Sequence, residues 1–113
     1  MNIQEYSTQA LTTLHTEHGI TDMDATLLSQ AFGLMGESGE VAEKFKKLIR
    51  DKNGELTDED KTEILKELGD VLWYVNSLSS LLGSSLEDVA KNNLSKVLSR
   101  KERGVTGGSG DNR

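Results

Sequence analysis

Four acidic residues in the middle of the chain have the types and the spacing of a metal site. Glu37 and Glu40 stand three residues apart, and so do Glu67 and Asp70. On a helix, residues three apart project from nearly the same face. The first acid of each pair also interrupts an apolar i, i+3, i+7 stripe, where a carboxylate is costly unless something compensates its charge. Because four such groups also repel one another, we predict that they converge on a divalent cation.

The donor set indicates which cation this would be. Carboxylate oxygens without sulfur or an obvious imidazole favour hard ions, so we predict Mg²⁺, with Mn²⁺ as the other suitable ion. Three helix-interior glycines beside the acids, Gly36, Gly39 and Gly69, indicate that side-chain bulk is excluded there.

Two other interpretations of the acids stay open. Acids three residues apart are also typical of a solvated helix face. A carboxylate cluster in a bundle oxidase can instead hold two irons, although such sites usually use Glu-x-x-His. His15 and His18 lie outside both acid motifs, and we interpret them as ordinary surface or packing residues.

A polar and basic group follows closer to the C-terminus. Lys96 and Arg100 are four residues apart and Asn93 stands one turn before Lys96, so a helix would present a face suited to phosphate oxygens. A solvated helix end, where cations favour the C-terminal dipole, explains the same pattern equally well. Tyr74 stands four residues after Asp70, where its ring could pack against a sugar or base.

Helices must position these residues, because the apolar spacing is helical, proline is absent and no stretch alternates like a strand. The first is predicted over about 2–18, with Gly19 as its stop, and the second over about 24–50. Thr57 is the predicted N-cap of a third helix that runs to about residue 82. Ser84 with Glu87 fits the capping box of a fourth helix that ends near residue 100.

The predicted fold class is therefore all-α, a compact four-helix-type bundle that oligomerises through helix packing. We expect a single all-α domain at 1–100 and a glycine-rich C-terminal tail at 101–113. The side chains of 72–75 point in all directions around the third helix, so that helix needs a second burying surface. This predicts a homodimer or homotetramer, and the alternative is a monomer with an unusually apolar face.

Composition limits the partners. A net charge of −6 over 113 residues disfavours binding to a nucleic acid polymer. The longest apolar run, residues 71–75, is too short to span a bilayer, so no membrane partner is expected. The absence of cysteine is compatible with a reducing cytoplasm, which is the predicted location.

Two acid-bearing segments resemble the signature segments of the MazG-like all-α nucleoside triphosphate pyrophosphohydrolases. These segments are 36–44, GESGEVAEK, and 66–74, KELGDVLWY. The C-terminal region is similar to that of the same family at 92–96, NNLSK, at 100–104, RKERG, and at 108–113, GSGDNR. The fuller family pattern often opens with two adjacent acids, whereas this chain has Gly36 before Glu37.

The resemblance implies an enzyme, a hydrolase that cleaves the α–β phosphoanhydride bond of nucleoside triphosphates. The expected reaction converts a (d)NTP to the (d)NMP and pyrophosphate in nucleotide-pool housekeeping. The implied catalytic residues and Mg²⁺ ligands are Glu37, Glu40, Glu67 and Asp70, and the implied nucleotide- or phosphate-binding residues are Tyr74, Asn93, Lys96 and Arg100. The alternative function is a non-catalytic helical oligomer in which the acids hold a structural metal or serve an interaction.

Overall fold

A computed structural model describes residues 1–14 and 25–113 of the chain. These residues form four helices and no strand: α1 (Ile3–Leu11), α2 (Ala25–Lys52), α3 (Asp58–Leu81) and α4 (Leu86–Glu102). The predicted all-α, four-helix fold class is therefore confirmed. His15, His18 and the predicted stop at Gly19 lie outside the described residues. In the part of the chain that is described, no helix has the length and apolar character needed to cross a membrane.

The first helix is shorter than predicted because polar side chains cap both of its ends. The side chain of Asn2 accepts a hydrogen bond from the backbone N–H of Glu5, and the Glu5 carboxylate accepts one from the backbone N–H of Asn2. At the other end, the hydroxyls of Thr12 and Thr13 each donate to a carbonyl three residues back. The helix ends at Leu11 rather than at residue 18.

The second helix, α2, is a single uninterrupted element. It has 28 residues, which corresponds to a length of about 42 Å. The glycines at 33 and 36 neither break it nor end it. It stops in a turn where Asn53 and Gly54 take positive φ values of 52° and 76°.

The third and fourth helices begin at side-chain caps. Thr57 forms a capping box with Asp60 at the start of α3, as predicted for the Thr57 cap. The predicted capping box of Ser84 with Glu87 is wrong. The N-cap of α4 is Ser85, whose hydroxyl accepts from the backbone N–H of Asp88 at 3.1 Å. The helix then runs to Glu102, two residues past its predicted end.

Polar side chains hold the helices together at their closest approach. Ser77 on α3 donates to the side-chain oxygen of Gln30 on α2 at 2.7 Å, and both residues are buried. Asn76 donates to the backbone carbonyl of Ser7 on α1 at 3.2 Å. Gln30 near the start of α2 thus contacts Ser77 near the end of α3, so the two helices run antiparallel.

The apolar side chains are unevenly covered. Among the described residues, the buried apolar side chains are those of Leu48, Ile64 and Leu86, which are 5–7% exposed. Large apolar side chains on α2, α3 and α4 are instead exposed, and these include Phe32, Met35, Ile49, Leu65, Leu68, Leu94 and Leu98. On α3, the exposed side chains at 65, 68 and 72 share one stripe. Of the residues at 72–75, for which the sequence predicts a second burying surface, Leu72 is exposed and the other three are partly covered within one chain. Self-association stays a prediction.

Candidate metal centre

Three of the four predicted acids converge between α2 and α3. Glu37 projects from α2, while Glu67 and Asp70 project from α3, and one carboxylate oxygen of each lies within 4.8 Å of the others. The antiparallel pairing of the two long helices produces this arrangement, because it sets the middle of α2 beside the middle of α3. The convergence that the acid spacing predicted is thus found for three of the four acids, because α2 and α3 pack directly on each other.

The convergence is electrostatically costly for the protein without a bound cation. Partial burial raises the pKa of Glu37 above its ordinary value, and the negative charges of Asp70, Glu67 and Glu40 raise it further. The ammonium group of Lys44 offsets part of this charge, since its Nζ atom lies 3.8 Å from Oε1 of Glu67. Like charges held this close indicate a place for a stronger counter-ion.

The fourth predicted acid stands apart from this group. Glu40 is exposed on α2, one turn beyond Glu37, and it is not one of the three acids whose oxygens converge. Its charge still contributes to the raised pKa of Glu37. A Cβ atom added at Gly36, Gly39 or Gly69 would meet nothing within 4 Å among the described residues. The prediction that side-chain bulk is excluded beside the acids is therefore wrong within one chain.

The three convergent acids fit a hard divalent cation. They offer oxygen donors alone, which suits Mg²⁺ or Mn²⁺ and not the softer metals. Side-chain rotations that draw the three carboxylate oxygens closer together would let Glu37, Glu67 and Asp70 hold such an ion. Such a cation would also relieve the repulsion that raises the pKa of Glu37.

An aromatic hollow adjoins the acids. Glu37, Asp70, Trp73 and Tyr74 line a cavity of about 350 Å³. The two rings meet edge to face, with centroids 5.0 Å apart, and the Trp73 indole N–H donates to the Thr13 hydroxyl at 2.8 Å. Tyr74 therefore lies where its spacing from Asp70 predicted.

Two neighbours of this hollow were not predicted from the sequence. Trp73 is half-buried and forms part of the lining. A Cβ atom at Gly33 on α2 would overlap the Tyr74 ring. The position of Gly33 one turn before Glu37 was the available signal.

The predicted phosphate-binding residues lie elsewhere in the chain. Asn93 and Lys96 line a separate cavity of about 340 Å³ together with Val89 and Asn92. Lys96 forms an ion pair with Asp111 at 2.9 Å, and Arg100 is buried against the same residue. Within the described residues, α4 packs on α1 and α3 and not on α2, so one chain does not unite these cations with Glu37.

The fold thus brings together carboxylates with the donor atoms to hold a divalent cation, beside an aromatic hollow. The sequence model of the MazG nucleotide pyrophosphohydrolase domain matches residues 25–105. The chain therefore belongs to the MazG nucleotide pyrophosphohydrolase family, a family of hydrolases.

A relative is found in Mycobacterium phage L5. It is named Gene 37 protein and is 46% identical to this chain over 102 residues, which cover 90% of each protein. No solved structure matches the chain significantly.

Proposed function

We propose that this protein is a Mg²⁺-dependent hydrolase that converts a (d)NTP to the (d)NMP and pyrophosphate in the cytoplasmic nucleotide pool. The observation that carries the proposal is the convergence of Glu37, Glu67 and Asp70 from two helices in a chain of this family. Mn²⁺ would serve as a substitute cation because it accepts the same oxygen ligands.

The acids account for the binding of an anionic substrate. A triphosphate brings about four negative charges, so it can approach three carboxylates only with a cation between them. When bound, Mg²⁺ would neutralise phosphate charge and make a nearby water more acidic. Glu37, Glu67 and Asp70 would hold that cation, and Glu40 is the further acid that side-chain rotation could add.

The reaction proposed at this site is an in-line displacement at the α-phosphorus. The oxygen of water forms a bond to that phosphorus, and the bond from it to the bridging oxygen of the β-phosphate breaks. Pyrophosphate leaves with the bonding electrons. One of the carboxylates accepts the proton that the water loses.

The aromatic hollow is the proposed nucleoside site. Tyr74 and Trp73 line the same cavity as Glu37 and Asp70, so a sugar or base could pack on the rings while its phosphates face the acids. The hydrogen bond from Trp73 to Thr13 fixes the indole and ties the hollow to the turn after α1.

A homodimer or homotetramer completes the proposal. A large apolar surface is exposed to water on α2 and α3. It includes Leu65, Leu68 and Ile49, whose exposed fractions are 65%, 46% and 73%. Since α4 does not pack on α2 in one chain, a second copy is a natural source of the cations Lys96 and Arg100 for a given set of acids.

Product analysis with a panel of NTPs and dNTPs plus Mg²⁺ tests the proposal. The expected products are monophosphate and pyrophosphate in equal amounts, with turnover reduced at least about 100-fold in Glu67→Gln. Glu63→Gln is the matched control, because Glu63 lies one turn earlier on α3 and pairs with Lys66 instead of joining the acids. Diphosphate with orthophosphate would contradict the assigned bond, and no product from any substrate would favour the non-catalytic oligomer.

A further inference from the structure

One arginine, Arg113, organises the segment 104–113, which we call the tail loop. The Arg113 guanidinium donates to four backbone carbonyls within the loop, those of Val105, Thr106, Gly107 and Gly110. Gly108 and Gly110 take φ values of 94° and 86°, which allow the chain to wrap around that side chain. The tail loop therefore has a defined backbone path beside α4.

A second arginine anchors the tail loop to α4. Arg100 is only 8% exposed, and its Nη2 atom donates to the backbone carbonyl of Asp111 at 2.6 Å. Its buried Nε–H has no acceptor among the described residues. A guanidinium this deeply buried is costly without an anion beside it, so Arg100 requires a negatively charged neighbour.

The Asp111 carboxylate supplies that anion to two cations at once. Its Oδ1 atom accepts from Nζ of Lys96 at 2.9 Å and from Nη2 of Arg100 at 3.2 Å. The hydrogen bond from Lys96, followed by that from Arg100, holds the pKa of Asp111 below its ordinary value. The Asp111 side chain is nevertheless 77% exposed, whereas those of Lys96 and Arg100 are 37% and 10% exposed.

The exposed partner of this cluster is thus the one that can leave. The Asp111 backbone is held by Arg100, and its neighbour Gly110 is held by Arg113. Rotation of the Asp111 side chain would remove its carboxylate from Lys96 and Arg100 without unfolding the tail loop, because Arg100 keeps its hydrogen bond to the Asp111 backbone carbonyl. The cavity of about 340 Å³ beside Lys96 has room for an incoming phosphate group.

We propose that Asp111 is an internal stand-in for phosphate, which occupies Lys96 and Arg100 until the phosphate chain of a nucleotide displaces it. The inference rests on the proposed function for the role of those two cations. Carboxylate and phosphate oxygens accept the same charge-assisted hydrogen bonds, so either can satisfy the pair. By competing for the cations, Asp111 weakens phosphate binding and helps the pyrophosphate product to leave.

Binding of inorganic tripolyphosphate in the presence of Mg²⁺, measured by titration calorimetry without nucleotide, tests this competition. Asp111→Asn keeps the shape and the backbone carbonyl but removes the charge, and it should bind at least about fivefold tighter than the wild type. Glu102→Gln is the control, since it makes the same charge change at an exposed position on the end of α4. It should change the affinity less than about twofold.

A measurement on the wild type avoids any effect of substitution on folding. The carboxyl ¹³C resonance of Asp111 should shift when the protein is saturated with tripolyphosphate, because the carboxylate loses its two cations. An unchanged resonance, unchanged or weaker binding by Asp111→Asn, or no binding of tripolyphosphate would each overturn the inference. Neither assay depends on turnover, so a failure to hydrolyse nucleotides would count against the proposed function alone.

Discussion

The ring of Tyr74 on α3 lies against the backbone of Gly33 on α2, where any Cβ atom would overlap it. This contact sets the position of the ring beside Glu37 and Asp70, since all three groups line the same hollow. The absence of a side chain at one position of α2 thus determines the shape of the proposed nucleoside site.

Gly33→Ala should displace the Tyr74 ring and raise KM for the nucleotide about tenfold, because the lost contact is that of one aromatic side chain. Gly36→Ala is the control, since no described atom lies within 4 Å of the added methyl group. It should stabilise the helix by about 0.5–1 kcal/mol and leave KM unchanged. Steady-state kinetics and urea unfolding of both variants check the prediction, which an unchanged KM in Gly33→Ala would contradict.

Magnesium should stabilise the folded protein through the convergent acids. With free Mg²⁺ at about ten times its dissociation constant, the free energy of unfolding should rise by about 1.4 kcal/mol. Thermal unfolding with and without MgCl₂ measures this shift. Glu67→Gln should lose it, whereas Glu63→Gln, whose carboxylate pairs with Lys66, should retain it. An equal shift in both variants would place the cation elsewhere.

The stability that Asp60 contributes at the start of α3 should depend on pH in a defined direction. The hydrogen bond from Lys52, followed by those within the capping box of Thr57, lowers the pKa of Asp60 to about 2. The stability that Asp60 contributes is therefore fully present above the unfolded pKa of about 3.8, and it is lost as the pH falls through about 2.

Urea unfolding of the wild type and Asp60→Asn between pH 6 and pH 2 checks this sign. The difference in free energy of unfolding between them should shrink toward the acidic end. Asp58→Asn alters a fully exposed acid in the same helical turn and should have a smaller effect. A difference that stays constant over the whole range would show that the Asp60 charge is not what stabilises the cap.

The exposed stripe on α3 should mediate self-association. Replacement of Leu65 and Leu68 together by Glu should weaken the assembly at least about 100-fold, because burial of each leucine contributes about 1.5 kcal/mol or more. Light scattering coupled to size exclusion measures the change. Lys66→Glu, at an exposed position of α3 that projects about 100° away from Leu65, should leave the assembly size unchanged. An unaltered mass for the double variant would place the interface on another surface.

Local chemistry explains which features of the fold were predictable from the sequence. Thr57 and Asp60 form a capping box by themselves, so the start of α3 could be placed from residue types alone. The start of α4 was one residue off because Ser84 and Ser85 are each followed three residues later by an acid. The folded chain uses Ser85, whose hydroxyl accepts from the backbone N–H of Asp88, and residue types alone do not distinguish the two positions.

Some features of the candidate site could likewise be predicted from the sequence, and others could not. Periodicity brought Glu37, Glu67 and Asp70 to facing sides of two helices, as the structure has them. The exposure of Glu40 depends on how α2 rotates against α3, which spacing alone does not specify. The contact between Arg100 and Asp111 could not be predicted from the sequence either. It depends on the backbone path of the tail loop, which Arg113 stabilises through hydrogen bonds to backbone carbonyls.

Hydrolysis in ¹⁸O-labelled water, with Mg²⁺ and a preferred (d)NTP, tests the central claim most directly. Mass spectrometry of the products locates the phosphorus that the water attacks. Attack at the α-phosphorus predicts one labelled oxygen in the (d)NMP, unlabelled pyrophosphate, and loss of the reaction in Glu67→Gln. Label in pyrophosphate or orthophosphate, or full activity in Glu67→Gln, would contradict the account.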